Sequence, residues 1–163
     1  MIGTAGFDVR SYEDVEADPA TTIQAVAIVI VSSIAAAIGV GAVDISSMLG
    51  LLTGAIFAWI VWVALTLFIG TRLLPEKTTR SNFGEILRTT GFSASIGILR
   101  IFGIIPVVGG VIFALVTIWM LLTFVVAIRQ ALDYTRTSRA FAVCLLGWII
   151  HALILVGFVR IVS

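Results

Sequence analysis

Four long runs of apolar residues constrain this chain most, because each is about as long as a helix that crosses a lipid bilayer. They lie near positions 20–43, 48–70, 107–130 and 140–162. A helix needs about 20 residues to cross a hydrocarbon core roughly 30 Å thick. Hydrophobic residues make up 60% of the 163 residues and charged residues only 12%, against roughly a quarter charged in a soluble domain. We therefore expect an all-α, polytopic transmembrane helical bundle.

A fifth segment, residues 83–105, decides between four and five spans. Its sequence is FGEILRTTGFSASIGILRIFGII, and Asn82 followed by Glu85 predicts a capped helix start. About 23 residues at about 1.5 Å each cover roughly 34 Å, which is enough to cross. Arg88 and Arg100 lie near opposite ends, where long side chains reach the interface. The alternative is four spans plus an interfacial helix.

The distribution of basic residues favours five spans. If residues 83–105 cross, eight of the Lys and Arg residues share one face and only Arg100 and Arg160 lie on the other; if they lie flat, the division is seven to three. Lys and Arg accumulate in cytoplasmic loops. We therefore expect an acidic cytoplasmic tail over residues 1–18 and one transmembrane domain over residues 19–163. The C-terminus would lie outside, and the membrane we expect is a bacterial cytoplasmic (inner) membrane.

Small residues recur at four-residue spacing along the first three predicted helices. Such spacing lets two helix backbones approach closely within lipid. We expect packing within the chain more than a face for a second copy. The predicted helix-packing residues are Ser33, Ala37, Gly41, Gly50, Gly54, Gly91 and Ser95.

Basic residues cluster in the two loops that the five-span arrangement places in the cytoplasm. Each Lys or Arg beside an anionic leaflet contributes about 1 kcal/mol, so these loops favour orientation and lipid contact. The residues predicted to contact lipid headgroups or a partner are Arg72, Lys77, Arg80, Arg129, Tyr134, Arg136 and Arg139.

The sequence contains no pattern that predicts catalysis. No nucleophile, base and orienting group converge, no glycine-rich phosphate loop follows a strand, and no Cys and His spacing fits a metal. We therefore expect no enzyme, no cofactor, no metal and no nucleic-acid partner.

His151 lies mid-span, seven residues after Cys144 on roughly the same helix face. A neutral histidine bonded to a neighbouring helix is the favoured interpretation, because the sequence offers it no ionisable partner at that depth. An ionisable residue there also suggests a small channel or transporter with a path along the third segment, or, more remotely, an intramembrane hydrolase. The roles of His151 and Cys144 stay open at this point.

Three stretches carry a resemblance to a known family. They are YEDVEADPATTIQA, TRLLPEKTTRSNFGEILRTTGFSASIGIL and WMLLTFVVAIRQALDYTRTSRAFAVCLLGWII. From Tyr12 to about Leu155 the chain resembles the prokaryotic branch of the Yip1 domain family. The resemblance implies five transmembrane helices with a cytosolic N-terminus. Contact with a Rab-type GTPase would follow only by analogy with eukaryotic members, which often have a longer N-terminal region.

These features predict a non-enzymatic integral membrane protein that acts through helix packing. It would serve as an accessory subunit, a scaffold or a membrane organiser. The expected partners are membrane lipids and other integral membrane proteins or a second copy of the chain.

Overall fold

The computed structural model describes the backbone of residues 18–42 and 44–162 and the side chains of residues 18–42 and 44–153. Five α-helices form this part of the chain. The helices are α1 (Thr22–Gly39), α2 (Ile45–Phe68), α3 (Phe83–Ser93), α4 (Gly109–Ala131) and α5 (Thr137–Val162). No strand occurs in the described ranges. The predicted acidic tail, apart from Asp18, lies outside them.

Three of the helices are extended by turns of another helical type. A 3-10 turn, Pro19–Thr21, precedes α1, and a π turn, Ile69–Leu73, continues α2. A 3-10 helix, Ala94–Ile104, continues α3. Pro19–Gly39, Ile45–Leu73 and α4 are each long and apolar enough to cross a membrane, and Thr137–Leu153, the part of α5 with described side chains, is also apolar.

Side-chain caps fix two helical starts that the sequence predicts, the 3-10 turn before α1 and the start of α3. Asp18 accepts a hydrogen bond from the Ala20 N–H at 2.9 Å. Asn82 and Glu85 form the predicted capping box: the Glu85 N–H donates to Asn82 Oδ1 at 3.1 Å and the Asn82 N–H donates to Glu85 Oε2 at 2.9 Å. Each cap provides partners for backbone N–H groups that a helix start leaves unpaired.

The segment formed by α3 and its 3-10 extension runs lengthwise through the centre of the bundle. Along α1 its contacts advance in the same direction, from Gly91 beside Ala25 to Gly103 beside Gly39. Along α4 they run in the opposite direction, because Thr123 donates to the Ser93 carbonyl and Arg100 donates to Thr117. The segment is therefore parallel to α1 and antiparallel to α4.

This central segment is also the most enclosed part of the bundle. Every residue from Arg88 to Ala94 is buried, whereas only 22–33% of the three most apolar helices is buried inside the protein. The helices richest in apolar residues face outward and the segment richest in Thr, Ser and Gly faces other helices. That arrangement suits a lipid solvent, which does not drive apolar helices together.

The second half of the central segment differs from the single α-helix that the sequence predicts. Ala94, Gly97, Arg100 and Gly103 are three residues apart, so the 3.0 residues per turn of a 3-10 helix align them. Their backbone lies against α1: the Ser32 hydroxyl donates to the Ala94 carbonyl at 2.8 Å, and a Cβ at position 39 would collide with the Arg100 carbonyl. The narrow 3-10 helix permits this close approach.

Candidate functional site

The α2–α3 loop and the α4–α5 loop bind each other at one end of the bundle. The Glu76 carboxylate accepts hydrogen bonds from the Thr135 N–H at 2.9 Å and the Thr135 hydroxyl at 2.7 Å, and lies 3.4 Å from Arg139 Nε. Arg139 also donates to the Pro75 carbonyl at 2.7 Å. The hydrogen bonds from Thr135, helped by the positive charge of Arg139, lower the pKa of Glu76. We call Pro75, Glu76, Tyr134, Thr135 and Arg139 the loop junction.

Tyr134 departs from the prediction that it faces lipid headgroups or a partner. Its side chain is only 4% exposed, and its hydroxyl lies 3.0 Å from the Gly70 carbonyl and 2.8 Å from the Leu74 carbonyl. Burial raises the pKa of Tyr134 to about 12. The phenol therefore stays protonated and holds the end of α2 against the start of α5.

The other basic residues of these loops surround the junction. Arg129 is half-buried and donates to the Tyr134 carbonyl at 3.3 Å. The remaining four predicted contact residues are exposed: Arg72, Lys77, Arg80 and Arg136. They give this end of the bundle a positive surface, which suits an anionic lipid leaflet.

Four of the seven predicted helix-packing residues divide into an inward pair and an outward pair. Ala37 and Gly91 are buried, and a Cβ at position 91 would lie 2.8 Å from the Ala25 Cβ. Gly50 and Gly54 are exposed on α2, with nothing within 4 Å of an added Cβ. The outward face of α2 therefore makes no close contact within the described part of the chain.

Three further residues of that set take other roles. Gly41 departs from the prediction, because it lies in the turn after α1 with a φ of 82° and not in a helix. The Ser33 hydroxyl donates to the Val29 carbonyl at 2.7 Å. The Ser95 hydroxyl is buried without a hydrogen-bond partner among the described residues.

The polar side chains of the central segment are used for packing and do not line a path. Thr89, Thr90 and Ser93 are fully buried. The Trp59 indole N–H donates to the Thr90 hydroxyl at 3.1 Å, and the Thr90 hydroxyl donates to the Ile86 carbonyl at 2.6 Å. Thr89 and Ser93 likewise donate to carbonyls of their own helix, so these hydroxyls are satisfied inside the bundle and offer no support for a channel in the described structure.

Arg100 lies where two mostly apolar cavities meet, and we call this region the Arg100 cleft. The larger cavity, about 470 Å³, lies among α2, α4 and α5; the smaller, about 270 Å³, lies among α1, α2, α4 and the central segment. Four residues line both cavities: Trp59, Arg100, Met120 and Phe124.

The Arg100 guanidinium has few polar partners within this cleft. Its Nη2 donates to the Thr117 hydroxyl at 3.0 Å, and the guanidinium lies 5.0 Å from the centre of the Phe113 ring. Its Nε is buried without a hydrogen-bond partner, and no carboxylate of the described chain pairs with it. His151 lines the larger cavity with Trp62, and their ring centres are 6.4 Å apart. From the sequence alone, Arg100 is predicted only to be a charge near the membrane edge, and this cleft is not predicted.

No group of three metal-ligating side chains converges within the described residues.

Comparison of the chain with family models, with curated proteins and with solved structures found no match. The resemblance to the Yip1 domain family therefore stays a prediction carried by the three quoted stretches.

Proposed function

We propose that the chain is a five-span integral membrane protein with its N-terminus in the cytoplasm and its C-terminus outside, in a bacterial inner membrane. The lengthwise path of the central segment supports a fifth crossing. The loop junction brings the loops after α2 and after α4 to the same end, where the exposed basic residues also lie. Basic residues concentrate on the cytoplasmic side of membrane proteins.

We further propose a non-enzymatic role as a membrane scaffold that assembles through the outward face of α2. The observation that carries this proposal is the exposed pair Gly50 and Gly54, with Thr53 exposed beside them. Their four-residue spacing matches the small-residue motif that lets membrane helices approach closely. Gly91 and Gly97 make close contacts inside the bundle, whereas these two glycines leave a flat strip directed at lipid.

The occupant that we propose for this strip is a second copy of the chain. Two copies in one membrane have the same orientation, so their α2 helices are parallel when a two-fold axis relates them. A parallel pair of small-residue strips is the arrangement in which such motifs associate in lipid. The α2 face is therefore complementary to itself.

Substitution of Gly54 by Leu tests this assembly. We expect the wild-type protein to be dimeric in mild detergent by native mass spectrometry, and Gly54→Leu to be monomeric, because the leucine separates the backbones. Gly110→Leu is a matched control, since position 110 is equally open but lies on α4. This variant should stay dimeric.

The same preparation distinguishes the alternatives. A monomeric wild-type protein that recovers no partner from native membranes would contradict the scaffold proposal. Recovery of a different membrane protein in equal amount, lost in Gly54→Leu but not in Gly110→Leu, would replace the second copy by an accessory-subunit role.

A further inference from the structure

The Arg100 cleft holds a positive charge without a negative partner. A guanidinium removed from water needs a counter-charge or several hydrogen bonds to offset its desolvation. Within the described chain Arg100 has one neutral acceptor, the Thr117 hydroxyl, and one aromatic face, Phe113. Its buried Nε has no acceptor. An anion that accepts hydrogen bonds from more than one N–H group would satisfy the Arg100 guanidinium.

The cavities on either side of Arg100 have the chemistry of acyl-chain sites. Large apolar side chains line both, with Val29 and Leu51 in the smaller cavity and Leu121 and Trp148 in the larger. Few polar groups line either, apart from Arg100 in both, Thr117 and His151 in the larger and two serines in the smaller. Sites with predominantly apolar walls and a few oriented polar groups bind amphiphilic ligands.

The direction of the cavities matches a lipid of one leaflet. Arg100 lies near the end of the central segment that is opposite the loop junction. From the level of Arg100 the smaller cavity extends along α1 as far as Val29, and the larger extends along α4 as far as Phe124. Both therefore extend from the cation toward the middle of the bundle, as the acyl chains of a lipid extend from its headgroup.

We propose that the Arg100 cleft binds an anionic phospholipid from the leaflet opposite the basic loops. Its phosphate accepts hydrogen bonds from the Arg100 guanidinium, and one acyl chain occupies each cavity. Arg suits this role because its planar fork donates two parallel hydrogen bonds to a phosphate. Two cavities that meet at one cation favour a two-chain lipid over a single-chain acid. This site is separate from the α2 strip and shares with the proposed function only the membrane placement.

Tryptophan fluorescence measures occupancy of the cleft directly. Trp59, Trp62 and Trp148 line its cavities, whereas Trp119 lines neither and is 45% exposed on α4. Trp148 is also 45% exposed, so a Trp119→Phe, Trp148→Phe variant reports from Trp59 and Trp62, which are each 8% exposed within the cleft. It is reconstituted in vesicles of ordinary phosphatidylcholine to which a brominated lipid is added, either brominated phosphatidylglycerol or brominated phosphatidylcholine. The brominated acyl chains quench the fluorescence of nearby indoles.

We expect brominated phosphatidylglycerol to reach half-maximal quenching at a concentration about fivefold lower than brominated phosphatidylcholine does. A fivefold difference corresponds to about one favourable charge contact. Arg100→Gln in the same background should abolish this difference. Arg72→Gln, which removes an exposed loop charge instead, should preserve it. Equal quenching by the two lipids, or a preference that survives Arg100→Gln, would overturn the proposal.

Three further measurements keep the test decisive if Arg100→Gln does not fold. Arg100→Lys keeps the charge but loses the two-pronged donor, so it should reduce the preference; an unchanged preference counts against phosphate binding by Arg100. Inorganic phosphate should not displace the lipid, and loss of the preference on its addition would mean a small-anion site. In protein that retains Trp119, failure of both lipids to quench this residue would overturn the membrane placement and this site with it.

Discussion

At the scale of single residues, Glu76 links two loops through charge. Its pKa is lower in the folded protein than its usual value of 4.5, chiefly because Thr135 donates two hydrogen bonds to the ionised carboxylate. A group of this kind stabilises the folded state above its usual pKa. The stabilisation is lost as the pH falls from about 4.5 through the lower pKa of the folded state.

Glu76→Gln should therefore lower the unfolding temperature at pH 7 and have less effect as the pH falls below about 4.5. The glutamine does not titrate, so the gap between variant and wild type should close in acid. Unfolding temperatures measured in detergent across this pH range check the prediction. Asp133→Asn is the control, because this exposed acid of the facing α4–α5 loop makes no ion pair and no side-chain hydrogen bond in the described structure. A gap that stays constant with pH would show that the Glu76 charge does not stabilise the junction.

At the scale of elements, the sequence predicts where the central segment begins and ends, but it does not predict the change of helix type within it. The helix ends lie within about four residues of the predicted ones, because caps such as Asn82 with Glu85 act locally. The change from α to 3-10 was not predicted, since it depends on close approach to α1, far away in the sequence. Its signal was small residues three apart, Gly91, Ala94, Gly97 and Gly103, with Arg100 in the same row. The Arg100 cleft was missed for the same reason, because five elements, α1, α2, the central segment, α4 and α5, must come together to form it.

Gly39→Ala tests whether this close approach holds the central segment. An added Cβ would collide with the Arg100 backbone carbonyl, which cannot move aside as a flexible side chain can. We expect a loss of about 1–3 kcal/mol in the free energy of unfolding, the usual cost of overpacking. Unfolding in mixed micelles provides the measurement, with Gly110→Ala as a control because position 110 is open. Equal stability of the two variants would show that α1 and the 3-10 helix are not in tight contact.

At the scale of the whole molecule, the loop junction and the central segment support the proposed five-span arrangement. A side chain at position 76 cannot pair with Arg139 across a bilayer, so the α2–α3 and α4–α5 loops must share a side. The turn at Val107, which is 98% exposed, lies at the far end of the central segment. Five crossings satisfy both conditions, whereas four crossings with residues 83–105 lying flat would put the two loops on opposite sides.

Single cysteines at Lys77, Val107 and Ser138, all exposed, distinguish these arrangements when introduced into a Cys144→Ala background. Cys144 is buried, so its replacement mainly removes a background thiol. With a membrane-impermeant reagent on intact cells, we expect labelling at position 107 alone, and labelling at 77 and 138 only after permeabilisation. Four spans predict instead that 77 and 107 label from one side and 138 from the other. That second pattern would mean that the central segment does not cross, and the loop junction could not exist in the membrane.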